Sequence, residues 1–149
     1  MELGVVFGIM GAVIAFGAAG IGCSIAMGSI GQAAAGVVAE DPRKFGQTLV
    51  LQAVGSTSGI YGLLMGFLIL TKSLTVTDTP TGLFLLAAGI PMGVVGLIAS
   101  IEQGKALVAG VILIGKKSGE MAKALIYAAM VETMQIFALL FSFIIFNSI

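Results

Sequence analysis

The chain has 149 residues, is 58% hydrophobic and only 9% charged, and has a mean hydropathy of +1.16; a soluble domain carries roughly 25% charged residues, so this is the composition of an integral membrane protein. Seven basic residues balance seven acidic ones, which leaves no basic face for nucleic acid. With no His and a single Cys, His/Cys metal sites, His-based triads and intrachain disulfides are excluded.

The first predicted element is the uncharged run Leu3 to Ala39. It is not a signal peptide: Glu2 stands where a basic region belongs, and the apolar run continues far beyond the usual length. If all helical it is roughly 55 Å long, more than the ~30 Å hydrocarbon core, so this helix should project from the membrane. Cys23 lies among its apolar residues and reads as a small packing residue. Small residues line the helix in two stripes. One reads Gly4, Gly8, Gly11, Ala15, Ala18, Gly22, Ala26, Ser29, Ala33 and Gly36; the other reads Gly17, Gly20, Ser24, Gly28, Gly31 and Ala35. Small residues let membrane helices approach closely. Packing within one four-helix chain needs small residues on one face; two faces suit the inner layer of a ring of many copies, with Gly22 and Gly28 as its packing positions.

The second span is Phe45 to Thr71, read as one helix after the loop Glu40-Asp41-Pro42-Arg43-Lys44. The third starts at Thr79 and continues past Glu102 and Lys105 to Gly115, and the fourth runs from near Met121 to the C-terminus. Arg43, Lys44, Lys116, Lys117 and Lys123 place five of seven basic residues at one surface, against Lys72 at the other. The positive-inside rule then makes the 1–2 and 3–4 loops cytoplasmic and turns both termini outward.

The halves repeat. Gly20 to Gly28 aligns with Gly96 to Gly104, an offset of 76 that also carries Val54 to Ile69 onto Met130 to Ile145 without a gap. The chain therefore divides into a first helical hairpin, residues 1–75, and a second, residues 76–149. Both cytoplasmic loops coincide in this register, so the hairpins are parallel. The expected fold is an all-α membrane protein of four transmembrane helices in two tandem parallel hairpins, assembled into a multimeric ring.

One residue breaks the apolar pattern of the fourth span. A charged carboxylate at Glu132 costs about 2.5–3.5 kcal/mol at a helix centre on insertion scales. In the repeat register it falls opposite Ser56, so two hairpins share one acid. Counting from the 3–4 loop puts Glu102, Gln103 and Glu132 at one depth, roughly 20 Å from the cytoplasmic end. Glu102 has Lys105 at i+3 and reads as half of a structural ion pair. Glu132 has no cation within a turn, so it must bind either a proton or a metal cation.

At this point the sequence resembles the proteolipid, or c-type, subunit of V-type and bacterial or archaeal A/V-type ATPases. The resemblance rests on the Gly-rich first helix and on AAMVETMQIF around Glu132. KFGQTLVLQ, TSGIYG and QGK (residues 103–105) add to it, pointing to bacterial sodium-pumping members and a prokaryotic plasma membrane. It implies a homo-oligomeric rotor ring among lipids, turning against a stator membrane subunit and bearing a central stalk on its cytoplasmic loops. The ring carries one Na+ or H+ per protomer and is itself neither catalytic nor cofactor-dependent. It further implies Glu132 as the carboxylate ligand, Gln103 as an amide ligand, Thr57 as a hydroxyl and Val54 as a backbone carbonyl, with Tyr61 holding Glu132. Ser58 departs from the sodium-binding pattern, which has a glutamine there; its oxygen is on a shorter arm. Glu102 is a second departure, standing where a small residue is usual. Gln103 and Thr57 are superfluous for a proton, so sodium is favoured. The alternative, a four-helix proton-coupled drug exporter, would need an aromatic cavity; the chain has no Trp, and its only tyrosines are Tyr61 and Tyr127.

Overall fold

The computed structural model describes residues 3–148; Met1, Glu2 and Ile149 lie outside the described residues. Four apolar spans cross the length of the molecule: Leu3–Glu40, Pro42–Ser73, Thr79–Lys116 and Met121–Asn147. Helix α1 is Leu3–Glu40, α2 is Phe45–Val54 and α3 is Thr57–Ser73; α4 is Thr79–Lys116 and α5 is Met121–Asn147. At 38 residues each, α1 and α4 are about 57 Å long and outrun the hydrocarbon core.

Helices α1 and α4 run side by side in the same direction. A Cβ on Gly82 would enter the backbone of Gly4, one on Gly89 the backbone of Gly11, and one on Gly104 would come within 2.7 Å of Ala26 Cβ. The partners advance together along both helices, which is the parallel arrangement the repeat requires. Main chains approach this closely only where side chains are absent, the usual device of packing in lipid, where no hydrophobic force draws helices together. Helices α3 and α5 flank this pair and expose apolar side chains outward, among them Ile60, Phe67, Met130, Phe137 and Ile144. Outward apolar faces without polar partners suit lipid or a neighbouring copy.

This packing corrects the reading of the first stripe. Gly22 does not face another copy: a Cβ there would strike the Leu97 carbonyl of α4. Gly4, Gly8, Gly11, Ala15 and Ala26 are buried with it inside the chain. The second stripe is open at Gly17 and Gly28, where added Cβ atoms would meet nothing within 4 Å, and closed at Gly31, where one would come within 2.9 Å of Gln52 Nε2. Of the two packing positions, Gly28 is the one that faces away from the rest of the chain.

The second span is also corrected. It is interrupted at Gly55 and Ser56, which separate α2 from α3. Carbonyls at the interruption also accept from nearby hydroxyls: Ser56 Oγ donates to Ala53 O at 2.6 Å, beside the Ser56 N–H, and Thr57 Oγ1 to Val54 O at 3.1 Å. Gly55 is buried against Ile30 and Leu107, and Cys23 Sγ lies 3.6 Å from Gly55 O. Irregular backbone at membrane depth survives only where protein covers it, as here.

At one end the first loop meets the C-terminal end of α4. Asp41 caps the turn Pro42–Lys44, and Arg43, hydrogen-bonded to it, holds its carboxyl below the usual range. Lys44 Nζ donates to Ile114 O and Gly115 O at 2.6 Å each, closing the C-terminal end of α4, where a cation is favoured by the helix dipole. At the other end Asp78 caps α4 by accepting from Thr81 N–H at 2.9 Å. Within α4, Pro91 cannot donate a backbone bond, and the N–H of Met92 next to it reaches across to Ser142 Oγ on α5 at 3.0 Å.

Candidate cation site

Glu132 projects from the middle of α5, half-buried, towards α3 and α4. Two donors reach its carboxylate. Tyr61 OH, from the second turn of α3, donates to Oε1 at 2.8 Å, and Gln103 Nε2, from α4, stands 3.5 Å from Oε2, the long limit of a hydrogen bond. Placing Gln103 there follows from helix geometry: it is one residue, about 100°, beyond Glu102. That rotation buries Gln103 completely and leaves Glu102 outside.

Glu102 Oε1 pairs with Lys105 Nζ at 2.6 Å, one turn along α4, with both side chains more than half exposed in the single chain. The pair does not touch Glu132. Removing either member leaves an unpartnered charge at membrane depth. The double change Glu102→Ala with Lys105→Ala is therefore expected to lower the amount of chain recovered from membranes less than either single change. Single variants that are both milder than the double would show that the pair is not a unit.

Thr57 and Val54 lie at the interruption between α2 and α3, bonded to each other through Thr57 Oγ1 and Val54 O. Neither makes a hydrogen bond to Glu132. The Val54 carbonyl thus accepts from a hydroxyl at the break between α2 and α3. Ser58, fully buried, does not meet Glu132 either; its hydroxyl donates to Gln135 Oε1. Gln135 Nε2 then donates to Gln103 Oε1 at 3.0 Å.

Gln135 is the site residue that sequence reasoning missed. It is completely buried, one turn beyond Glu132 on α5, and joins Ser58 on α3 to Gln103 on α4. A signal was available: a second uncharged polar side chain at i+3 from a membrane carboxylate lies on the same helix face. Its role was hidden because its partners are on two other helices. Among the described residues no buried side-chain nitrogen or oxygen lacks a partner, and no group of three His, Cys, Asp or Glu side chains comes together. Glu132 is met directly by one hydroxyl and one amide, with Gln135 and Ser58 linked behind Gln103, and with carboxylate and neutral oxygen groups such a site suits a hard cation or a proton.

Fold and site together define a class: a four-span membrane protein of two parallel hairpins with one intramembrane carboxylate held by a tyrosine hydroxyl and a glutamine amide. The family model for the C subunit of ATP synthase matches twice, at residues 10–69 and 86–145, the two matches standing in the same register of 76 residues found within the chain. The chain is 37% identical over 142 residues to the K subunit of the V-type sodium ATPase of Enterococcus hirae, covering 95% of this chain and 91% of that one. It is 41% identical over 140 residues to the K subunit of the A-type ATP synthase of Methanocaldococcus jannaschii, covering 94% of this chain and 61% of that longer one. The protein belongs to the family of the ATP synthase C subunit, as a proteolipid of the c/K kind.

Proposed function

We propose that this protein carries one cation on Glu132 across the membrane as a ring of identical copies turns within a V/A-type ATPase. The observation that carries the reading is the single carboxylate held by Tyr61 and Gln103 beside the interruption of the second span. A loaded carboxylate is neutral and can pass lipid. An empty one pays the burial penalty and stays beside a counter-charge, so loading and unloading are tied to rotation past the stator. Nothing in this role breaks a covalent bond; hydrolysis or synthesis of ATP belongs to other subunits. Family membership removes the exporter reading.

Sodium is the favoured cargo. Glu132, Gln103, Thr57 and the Val54 carbonyl form its ligands, Tyr61 orients Glu132, and Ser58 acts on the site through Gln135. The sodium named for the Enterococcus hirae relative supports this choice, as does a donor set larger than a proton needs. The ring places the Gly28 face of α1 between copies. Both termini face outward, and the loops bearing Arg43, Lys44, Lys116 and Lys117 face the cytoplasm of a prokaryotic cell and meet the central stalk.

Carbodiimides attack the protonated acid, so sodium bound at the site should compete with labelling. Millimolar-range sodium is expected to slow the labelling of Glu132 in membranes holding the full-length chain. Gln103→Leu should remove that protection while labelling continues. Labelling of the unaltered chain that is indifferent to sodium would reject the sodium site and leave a proton carrier.

A further inference from the structure

The chain of bonds from Ser58 through Gln135 and Gln103 to Glu132 has a direction. Ser58 Oγ donates to Gln135 Oε1, Gln135 Nε2 to Gln103 Oε1, and Gln103 Nε2 points to Glu132 Oε2. Every donor faces the carboxylate. This is the arrangement an ionised, empty Glu132 requires, since a carboxylate only accepts. A loaded site requires the reverse. A metal cation needs an oxygen from Gln103, and with Tyr61 donating to Oε1 an acid protonated on Oε2 turns its O–H towards Gln103 and needs an acceptor there, so in either case Gln103 presents Oε1.

Turning an amide over exchanges its oxygen and nitrogen with little change of shape. Once Gln103 turns, its Nε2 faces Gln135 and needs an acceptor there, so Gln135 must turn as well. Gln135 Nε2 then faces Ser58, whose hydroxyl accepts as readily as it donates. The hydroxyl hydrogen is released to a carbonyl of the preceding turn, as Ser56 and Thr57 already show at 2.6 and 3.1 Å. All three side chains are completely buried. A half-turned chain would set donor against donor or acceptor against acceptor in a medium of low polarity, so the two amides move together. The serine matters here: of the three side chains, only a hydroxyl can end the chain in both directions.

We propose that Ser58, Gln135 and Gln103 form a reversible amide relay whose direction follows the charge on Glu132, with Gln135 as the positioning residue that lets Gln103 offer nitrogen to the empty site and oxygen to the loaded one. The inference rests on Glu132 being the cation carrier. In the repeat register the position of Gln135 is held by Gly59 in the first hairpin, so the relay, like the carboxylate, occurs once per chain. Tyr61 is the other titratable group on Glu132; Glu102 and Lys105 close on each other and take no part.

Replacing Gln135 by Leu leaves the outer end of Gln103 without a partner in either direction. The loaded direction suffers more, because it buries an unbonded N–H instead of a carbonyl. In membranes holding the full-length Gln135→Leu chain, carbodiimide labelling of Glu132 at fixed pH without sodium is expected to slow about tenfold, and the sodium concentration that halves labelling to rise about tenfold. Ser58→Ala, a smaller change that does not touch Glu132, should shift both in the same direction. The double variant should match Gln135→Leu alone, because a serial relay is already broken; residues that only pack would give additive losses. Unchanged rates in both single variants, or additive losses in the double, would overturn the relay. If sodium fails to protect even the unaltered chain, the sodium reading falls and the sodium-free labelling rates alone decide for or against the relay.

Discussion

Glu132→Gln is expected to reduce cation transport by the assembled complex to background while the chain still inserts. The substitution keeps the shape of the side chain and its contact with Tyr61, and removes the carboxylate whose charge the proposed function uses. An amide does not change charge, so on the proposed function such a chain has no cation to take up and release. Glu102→Gln is the internal control, because Glu102 is committed to Lys105 at 2.6 Å and faces away from the site. Transport assayed in reconstituted vesicles checks both. If Glu102→Gln stops transport while Glu132→Gln does not, the wrong carboxylate has been assigned.

The second large effect is on folding. Gly89→Leu, or Gly11→Leu opposite it, should remove the chain from the membrane fraction, because a Cβ at Gly89 already enters the Gly11 backbone. Overpacking usually costs about 1–3 kcal/mol where side chains can shift; a clash with main chain gives no such relief, so the cost lies at or above the top of that range. Gly28→Leu should behave differently. Nothing stands within 4 Å of that position, so the chain should insert and pair its hairpins, and the failure should appear only when copies assemble. The amount of membrane-inserted chain and the mass of the detergent-solubilised assembly separate the two outcomes. A normal assembly from Gly28→Leu would contradict the placement of that face between copies.

The contrast between Gly22 and Gly28 shows where sequence reading stops. Spans, repeat and parallel hairpins were legible because they depend on apolar run length and on a register preserved through the chain. Glu132 was legible because its cost in lipid is large and local, and Glu102 with Lys105 because i+3 neighbours meet on any helix. Which small stripe pairs with α4 and which remains open is a tertiary choice, and both stripes look alike in sequence. The interruption at Gly55 and Ser56 lay in a run of turn-forming residues, Gly55-Ser56-Thr57-Ser58-Gly59, whose significance was masked by the uncharged stretch on either side. Gln135 could be placed on the correct face, yet its partners, Ser58 and Gln103, are 77 and 32 residues away along the chain.

The central claim is that one carboxylate per chain carries the cation. Mapping the adduct of dicyclohexylcarbodiimide by peptide mass spectrometry on the full-length protein in its membrane tests this most directly. One adduct per chain is expected, on Glu132, forming faster as the pH is lowered, with Glu102 unmodified. An adduct on Glu102 in place of Glu132, or no adduct on Glu132 under any condition that keeps the protein folded, would contradict it.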